Sequence, residues 1–221
     1  MLTKNIRFRN FIIKSNISNT KKEFRKLLGS NNEILNSLSL KYKYSFSKKI
    51  IRKYKKFSKL RIIGMGGSIL GTEAIYSFLK HKIKKSFFFV NNLKPNIVKH
   101  KERKILNLIV SKSGNTLETI SNSNIFIDKN DKNIFITEKR DSYLRNFASS
   151  LKAEIIDHNN FIGGRYSVLS EVGMLPIELA GLDPRKFKQL NFLVKNKNFT
   201  NALINNVSNT ISLIKKKNIL L

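Results

Sequence analysis

Five short apolar segments, separated by longer polar stretches, dominate the sequence from residue 60 onward. Helical patterns lie between several of these segments, notably at 69–82 and 116–129. Strands that alternate with helices are joined by right-handed crossovers and form a parallel sheet with helices on both faces. We therefore predict a three-layer α/β/α sandwich with a mainly parallel sheet, whose strands lie at 60–65, 86–92, 105–110, 133–138 and 153–158.

The sequence on either side of this pattern has a helical character. Residues 19–29 begin with Asn and Thr and end at a Gly, and residues 31–42 repeat the pattern. We expect an N-terminal helical segment over 1–59, an α/β domain over 60–183 and a helical connection over 184–221.

The net charge of +29, from 43 Lys and Arg against 14 Asp and Glu, is of the kind that drives binding to nucleic acids. However, Lys, Asn and Ile are abundant throughout, and the basic residues do not gather in one tail. We therefore expect non-specific attraction of polyanions but no specific nucleic-acid partner. Cysteine is absent, so thiolate chemistry and Cys-ligated metal sites are excluded. No apolar stretch is long enough to span a membrane, and we expect a cytoplasmic protein.

The stretch "GMGGSILG" (64–71) follows the first predicted strand and opens a helix. Glycines allow a backbone to approach a ligand closely, and the start of a helix offers free N–H groups to an anion. Ser68 can cap that helix or donate to a ligand. The spacing matches neither the dinucleotide-binding motif nor the P-loop, and a purely structural turn explains it equally well.

The stretch "SKSGNT" (111–116) follows another predicted strand. Its three hydroxyls and the N–H groups of a helix start can surround a phosphate without a metal ion. A well-capped helix would use the same residues. Because parallel strands place both loops at one edge of the sheet, the pair favours a phosphorylated small molecule.

The segment "FIGGRYSVLSEVGMLPIELAG" (161–181) places two glycines before Arg165. We expect a helix from this point to the region of Pro176. A cation at the start of a helix is unfavourable next to the helix dipole, which suggests a functional use for Arg165 rather than a surface one.

These three segments together resemble glucose-6-phosphate isomerases. "GMGGSILGTEA" is similar to that family's Gly-Gly-Ser-x-x-Gly loop, "SKSGNTLET" to its phosphate loop, and "GGRYSVLSEVGMLP" to its Gly-Gly-Arg-[Phe/Tyr]-Ser signature. The first two fit any sugar-isomerase (SIS) domain, whereas the third is specific. The resemblance runs from about residue 60 to the end of the sequence and implies an SIS-type fold.

The resemblance implies roles for particular residues. Arg165 would stabilise the cis-enediolate that forms when a proton moves between C2 and C1, while Gly67 and Gly164 would let the backbone approach the substrate. The implied substrates are glucose 6-phosphate and fructose 6-phosphate, interconverted without a metal or organic cofactor and, in the full-length enzyme, by a homodimer. The substrate phosphate would be held by Ser68, Ser111, Lys112 through its backbone, Ser113 and Thr116.

One departure from the family is equally informative. Its enzymes have two SIS domains, and the general base is a glutamate in a Gln-x-x-x-Glu-[Ser/Thr]-x-Gly stretch that these 221 residues lack. The motifs of the ring-opening histidine and the C-terminal lysine are also missing. We interpret "ISLIKKKNILL" as a helix, a basic turn and the start of a strand. We therefore expect an N-terminal portion of an isomerase, in which 184–221 leads into a truncated second SIS domain, without turnover of its own.

Three other side chains are candidates for acid–base work. We interpret His158 as structural or solvated, and Glu118 as orienting the phosphate loop or its helix start. Glu171 flanks the Gly-Gly-Arg segment. The alternative function is a self-standing SIS module that binds a sugar phosphate without catalysis.

Overall fold

The computed structural model describes residues 17–93, 104–128, 130–188 and 194–217. Residues 41–187 form one compact unit, and the described parts of 1–40 and 188–221 form another. The first sixteen residues and the strand expected at the end of the chain lie outside the described residues. The domain boundaries expected at 60 and 184 stay a prediction.

The larger unit contains a five-stranded sheet in which every neighbouring pair is parallel. The strand order is β2-β1-β3-β4-β5. The predicted α/β/α sandwich with a parallel sheet is therefore confirmed. The strands are β1 (Lys59–Gly64), β2 (Ser86–Val90), β3 (Ile105–Val110), β4 (Lys132–Thr137) and β5 (Glu154–Asp157).

Helices lie between β1 and β2, between β3 and β4 and between β4 and β5, and other described helices precede and follow the sheet. Short 3₁₀ helices lie at Gly66–Ser68, Lys80–Lys82, Gly164–Leu169 and Pro184–Lys188. The α-helices are α1 (Ser18–Gly29), α2 (Glu33–Ser37), α3 (Lys48–Tyr54), α4 (Leu70–Leu79), α5 (Leu117–Phe126), α6 (Tyr143–Ser150), α7 (Glu171–Leu179) and α8 (Lys197–Lys217).

Alternate residues of the central strands are buried on opposite faces of the sheet. On one face, Ile63, Ile109 and Phe135 pack with residues of α5 and α6, including Leu144. The intervening positions, such as Leu108, are also fully buried. Continuous apolar strands are expected when both faces of a parallel sheet are covered.

Two predicted helices differ from the structure. The helix expected over 31–42 is limited to Glu33–Ser37, because the N–H of Leu38 bonds to the nearer carbonyls of Leu35 and Asn36 and turns follow over 38–41. The helix expected directly after Arg165 is a 3₁₀ helix that ends at Leu169. The α-helix α7 begins only after Ser170, whose backbone is extended.

In the smaller unit, α1 and α8 contact each other. The Ser208 hydroxyl lies 2.7 Å from that of Thr20, and the Lys188 ammonium donates to the carbonyl of Ser37. Among the described helices, none is long and apolar enough to cross a membrane.

Candidate active site

The two candidate phosphate loops lie on either side of the point where the chain changes direction across the sheet. From β1 the chain moves outward to β2, and it then returns to place β3 on the other side of β1. Gly64 pairs with Val110 at the carboxyl ends of these neighbouring strands. Such a switch point is where open parallel sheets bind their ligands.

The loop after β1 turns sharply before α4. Gly66 has a φ of +54°, and a Cβ at Gly64 would lie 2.9 Å from the carbonyl oxygen of Val110. Ser68 is half-buried in the 3₁₀ turn, and no described residue bonds to its hydroxyl. The loop therefore exposes one hydroxyl close to the switch point.

This loop contacts the Gly-Gly-Arg segment directly. A Cβ at Gly67 would lie 2.2 Å from the carbonyl oxygen of Gly164 and 2.8 Å from the backbone nitrogen of Arg165. The Ser167 hydroxyl fixes the contact by donating to the Gly164 carbonyl at 2.7 Å. Gly67 thus has a packing role that the sequence did not suggest, and the approach of a substrate to its backbone stays a prediction.

The loop after β3 gathers three hydroxyls at the start of α5. The oxygens of Ser111 and Thr116 are 2.9 Å apart, and those of Ser113 and Thr116 are 3.5 Å apart. Thr116 precedes the helix but its side chain caps no helical N–H group. The first N–H groups of α5 therefore have no side-chain cap, and this geometry favours the anion-binding interpretation of 111–116 over the capping one.

The turn after β4 supports the phosphate loop from behind. The carbonyl of Lys112 accepts from the N–H of Glu138 at 3.1 Å, and the carbonyl of Gly114 accepts from the N–H of Leu144 at 3.0 Å. Gly114 has a φ of +68°, and a Cβ there would lie 2.2 Å from the Ser142 hydroxyl. The sequence analysis did not predict this support, because the bonds join residues that are more than twenty positions apart.

The side chain of Lys112 leaves the loop. Its ammonium donates to the carbonyl of Asn160 at 2.8 Å and lies 3.4 Å from a carboxylate oxygen of Glu138. The same carboxylate lies 3.0 Å from Nε of Arg140. The Lys112 carbonyl is thus bonded to the turn after β4, and the ammonium to Asn160 and Glu138; contact of the Lys112 backbone with a phosphate stays a prediction.

Arg165 is exposed in the first turn of the 3₁₀ helix, and no described residue pairs with its guanidinium. A Cβ at Gly164 would meet no atom within 4 Å, so space is open beside the backbone that precedes the guanidinium. Because Gly67 lies against Gly164, the backbone at Arg165 is next to the loop over 64–71.

The three remaining acid–base candidates are Glu171, His158 and Glu118. Glu171 is 1% exposed, and its two oxygens accept from the Tyr42 hydroxyl at 3.0 Å and from the N–H of Asn159 at 2.8 Å. Burial lowers the pKa of His158, although the Asn159 carbonyl and the Glu171 charge act in the opposite direction. Glu118 is half-buried in the first turn of α5.

No group of His, Asp and Glu within the described ranges could hold a metal ion.

Comparison with known proteins identifies a family with similar sequences. A family model described as phosphoglucose isomerase matches residues 45–215. The glucose-6-phosphate isomerase of Acholeplasma laidlawii is 31% identical over 183 residues, which are 72% of this chain and 43% of that protein. The corresponding enzyme of Borreliella afzelii is 33% identical over 147 residues, 57% of this chain and 27% of that protein. The chain thus spans less than half the length of these curated relatives.

Solved structures agree on the fold. A hypothetical protein from Thermus thermophilus superposes with a TM-score of 0.63 at 21% identity, covering 90% of this chain and 52% of that one. Tagatose-6-phosphate ketose/aldose isomerase from Escherichia coli superposes with a TM-score of 0.50 at 16% identity, covering 69% of this chain and 48% of that one. The predicted SIS-type fold is therefore confirmed.

Proposed function

Because the chain belongs to the phosphoglucose isomerase family, we propose that it binds hexose 6-phosphates as part of a glucose-6-phosphate isomerase. The reaction is the interconversion of glucose 6-phosphate and fructose 6-phosphate through a cis-enediol. The observation that carries the proposal is the cluster of three hydroxyls at the uncapped start of α5, adjacent to the switch point.

In this proposal the phosphate lies against the loop over 111–116. The hydroxyls of Ser111, Ser113 and Thr116 donate to its oxygens, together with the free N–H groups of the first turn of α5. Ser68 approaches from the neighbouring loop, since Gly64 and Val110 are paired at the ends of adjacent strands. Hydrogen bonds to a charged acceptor are about twice as strong as neutral ones, so this cluster supplies most of the affinity.

Arg165 acts at the other end of the sugar. Negative charge develops on the C1 and C2 oxygens as the enediolate forms, and an unpaired guanidinium beside an open glycine backbone can stabilise that charge. The contact between Gly67 and Gly164 sets its distance from the phosphate loops. Binding at one end and charge stabilisation at the other are the two parts that these residues contribute.

Proton transfer is a third part, and we propose that it is absent from these 221 residues. The glutamate motif that the family resemblance assigns to the general base does not occur in the sequence. Both oxygens of Glu171 are already occupied by donors within the fold. The chain assayed by itself, purified from a host without its own isomerase, is expected to show no turnover above the uncatalysed rate. Robust isomerisation of fructose 6-phosphate would require another base.

Calorimetry with the double variant Ser113→Ala, Thr116→Ala tests the phosphate site. We expect the free energy of binding to fructose 6-phosphate and to inorganic phosphate to weaken by about 1–3 kcal/mol, the usual loss for hydrogen bonds to a charged group. A matched control is Ser150→Ala with Thr210→Ala, both at exposed positions. Because a charge of +29 attracts any anion, glucose is the neutral control and the titration is repeated at high salt. Equal affinities for both double variants would refute the site.

The role of Arg165 is tested with a five-carbon phosphosugar acid whose carboxylate mimics the enediolate. Arg165→Ala should weaken the binding of this acid by about 1.5–3 kcal/mol more than it weakens the binding of fructose 6-phosphate. Only the acid presents a full charge to the guanidinium. Arg185→Ala, which removes an equal charge paired with Asp183, is the control. Equal losses for both ligands would leave Arg165 without its proposed role.

A further inference from the structure

The Lys112 side chain joins two loops that the strand order separates. Lys112 follows β3, whereas Asn160 follows β5, and β4 lies between these strands. The ammonium therefore passes over the end of β4, where it also meets the Glu138 carboxylate. Its side chain is 28% exposed.

Both ends of this link are held by further bonds. At the phosphate loop, the Lys112 carbonyl accepts from the N–H of Glu138 and from the hydroxyl of Thr137. At the other end, Asn159 donates its N–H to Glu171 and accepts from the N–H of Ile162, which is fully buried. The two ends that the Lys112 side chain joins are therefore both fixed within the fold.

The turn that receives the ammonium leads directly to the guanidinium. Asn160 lies five residues before Arg165, and the buried Ile162 fixes the chain between them. We propose that Lys112 is a positioning residue, whose ammonium ties the phosphate loop to the turn over 159–163 and so couples phosphate occupancy to the position of Arg165. This inference rests on the proposed function for the identity of the ligand, but the tie itself exists without ligand.

A direct hydrogen bond from the Lys112 ammonium to the phosphate would be a different role. An ammonium bonded to a carbonyl and close to a carboxylate already has two acceptors. If it turned towards the phosphate instead, the Asn160 carbonyl would lose its donor. The two roles make opposite predictions for phosphate affinity when the ammonium is removed.

The first experiment needs no ligand. Amide hydrogen exchange of the full chain is compared in wild type, Lys112→Met, Lys112→Arg and Lys139→Met. Lys139 is exposed and adjacent to Glu138, so Lys139→Met removes the same charge without touching Asn160. We expect exchange of the Ile162 N–H to rise about tenfold in Lys112→Met, and to change less than about twofold in the other two variants. An unchanged rate in Lys112→Met would overturn the tie, whether or not phosphate binds.

The second experiment adds inorganic phosphate and follows the amide resonances. In the wild type, phosphate should shift the amides of 160–165 as well as those of 111–116, a result that does not depend on any variant folding. In Lys112→Met the shifts at 160–165 should be lost, Lys112→Arg should restore them, and the phosphate affinity should stay within about threefold of that of Lys139→Met.

Three results would count against the coupling in distinguishable ways. Shifts confined to 111–116 in the wild type would show a bound phosphate without coupling. A loss of affinity of about tenfold or more in Lys112→Met would assign the ammonium to the phosphate itself. No shift at 111–116 would refute the proposed phosphate site, while the exchange experiment would still decide on the tie.

Discussion

The two ends of the sheet use polar residues in opposite ways. In the amino-terminal half, Arg61, Asn107 and Asn133 stand side by side on β1, β3 and β4, and all three are buried. At the carboxyl edge, Ser113 and Thr116 are half-buried and Arg165 is exposed, while Ser111 is buried. The same kinds of groups are therefore present at both ends, and their partners differ.

In the amino-terminal half the polar groups satisfy one another. Arg61 donates to the Asn107 side-chain oxygen at 3.1 Å, and Asn107 donates to that of Asn133 at 2.8 Å and to Asp131 at 3.2 Å. The guanidinium also lies 5.0 Å from the centre of the Phe126 ring. Buried polar groups are tolerated when each has a partner, so this row is structural.

At the carboxyl edge, hydrogen-bonding capacity remains. Two contacts join the three hydroxyls, so at least one hydroxyl hydrogen is not used within the loop. The start of α5 has no side-chain cap, and Arg165 has no partner among the described residues. In this fold, a candidate ligand site therefore differs from a core network in how many of its polar groups have hydrogen-bond partners, and not in polarity itself.

The largest effect on stability is expected from Asn107→Ala. It leaves the Arg61 guanidinium and the Asn133 amide without their shared partner, and we expect the free energy of unfolding to fall by about 3 kcal/mol. Phosphate affinity, measured on the folded protein, should stay unchanged. Denaturant unfolding measures the free energy of unfolding, and calorimetric titration measures the phosphate affinity.

Asn201→Ala on the exposed surface of α8 provides the control for this substitution. Because Ala favours a helix more than Asn, its stability should be equal or slightly higher. If Asn107→Ala cost no more than the control, the row would not be the structural network described above.

Gly67→Ala is expected to have an intermediate effect on the carboxyl edge. The added Cβ would lie 2.2 Å from the Gly164 carbonyl, so the two loops must move apart at a cost of about 1–3 kcal/mol. Sugar phosphates, which in the proposed function contact both loops, should then bind more weakly, while inorganic phosphate should bind as before. Calorimetric titration of both ligands separates the two effects.

Gly163→Ala is the matched control, because its Cβ would meet only the edge of the Tyr166 ring at 3.4 Å. Equal binding of sugar phosphates by the two alanine variants would show that the Gly67 contact does not set the geometry of the site.

The smallest effect is expected from His158, a buried and hydrogen-bonded group at the carboxyl edge. Burial lowers its pKa in the folded protein, an effect increased by Lys112 and opposed by the Asn159 carbonyl, Glu171 and Glu138. The unfolded chain therefore takes up this proton at a higher pH than the folded one does. Stability is fully present above the ordinary histidine pKa and declines as the pH falls below it.

This dependence is measured as the free energy of unfolding between about pH 7.5 and 5.5, around the ordinary histidine pKa. In His158→Gln the decline over this range should be smaller than in the wild type. Identical pH profiles would mean that His158 is not held neutral by burial.

The sheet could be predicted because each of its strands is a short apolar run between turn residues. The order of the strands could not, since it depends on where each crossover returns. The row at Arg61, Asn107 and Asn133 was missed for the same reason. Each of these residues is a single polar position within an apolar run, and the three become neighbours only when the register is known.

The candidate site was predictable in its loops but not in its supports. The hydroxyls of 111–116 and the cation at Arg165 were visible because their spacing is local. The contacts of Lys112 with Asn160 and of Gly67 with Gly164 join segments far apart in sequence, and no local pattern indicates them. The break between the 3₁₀ helix and α7 was also missed, because it depends on the extended backbone of Ser170.

The contact between the first loop and the Gly-Gly-Arg segment also bears on how the molecule acquires its site during folding. Gly67 and Ser167, which meet across this contact, are 100 residues apart along the chain. Closing so long a loop lowers the chain entropy, and only packing between distant segments offsets this loss. We therefore expect the contact to form late in folding. The loop over 111–116, by contrast, is held by backbone bonds to Glu138 and Leu144, which are much nearer in sequence. A folding chain should therefore gain affinity for inorganic phosphate before it gains preference for an enediolate mimic, and the interval between the two would report the docking of the last segment of the larger unit.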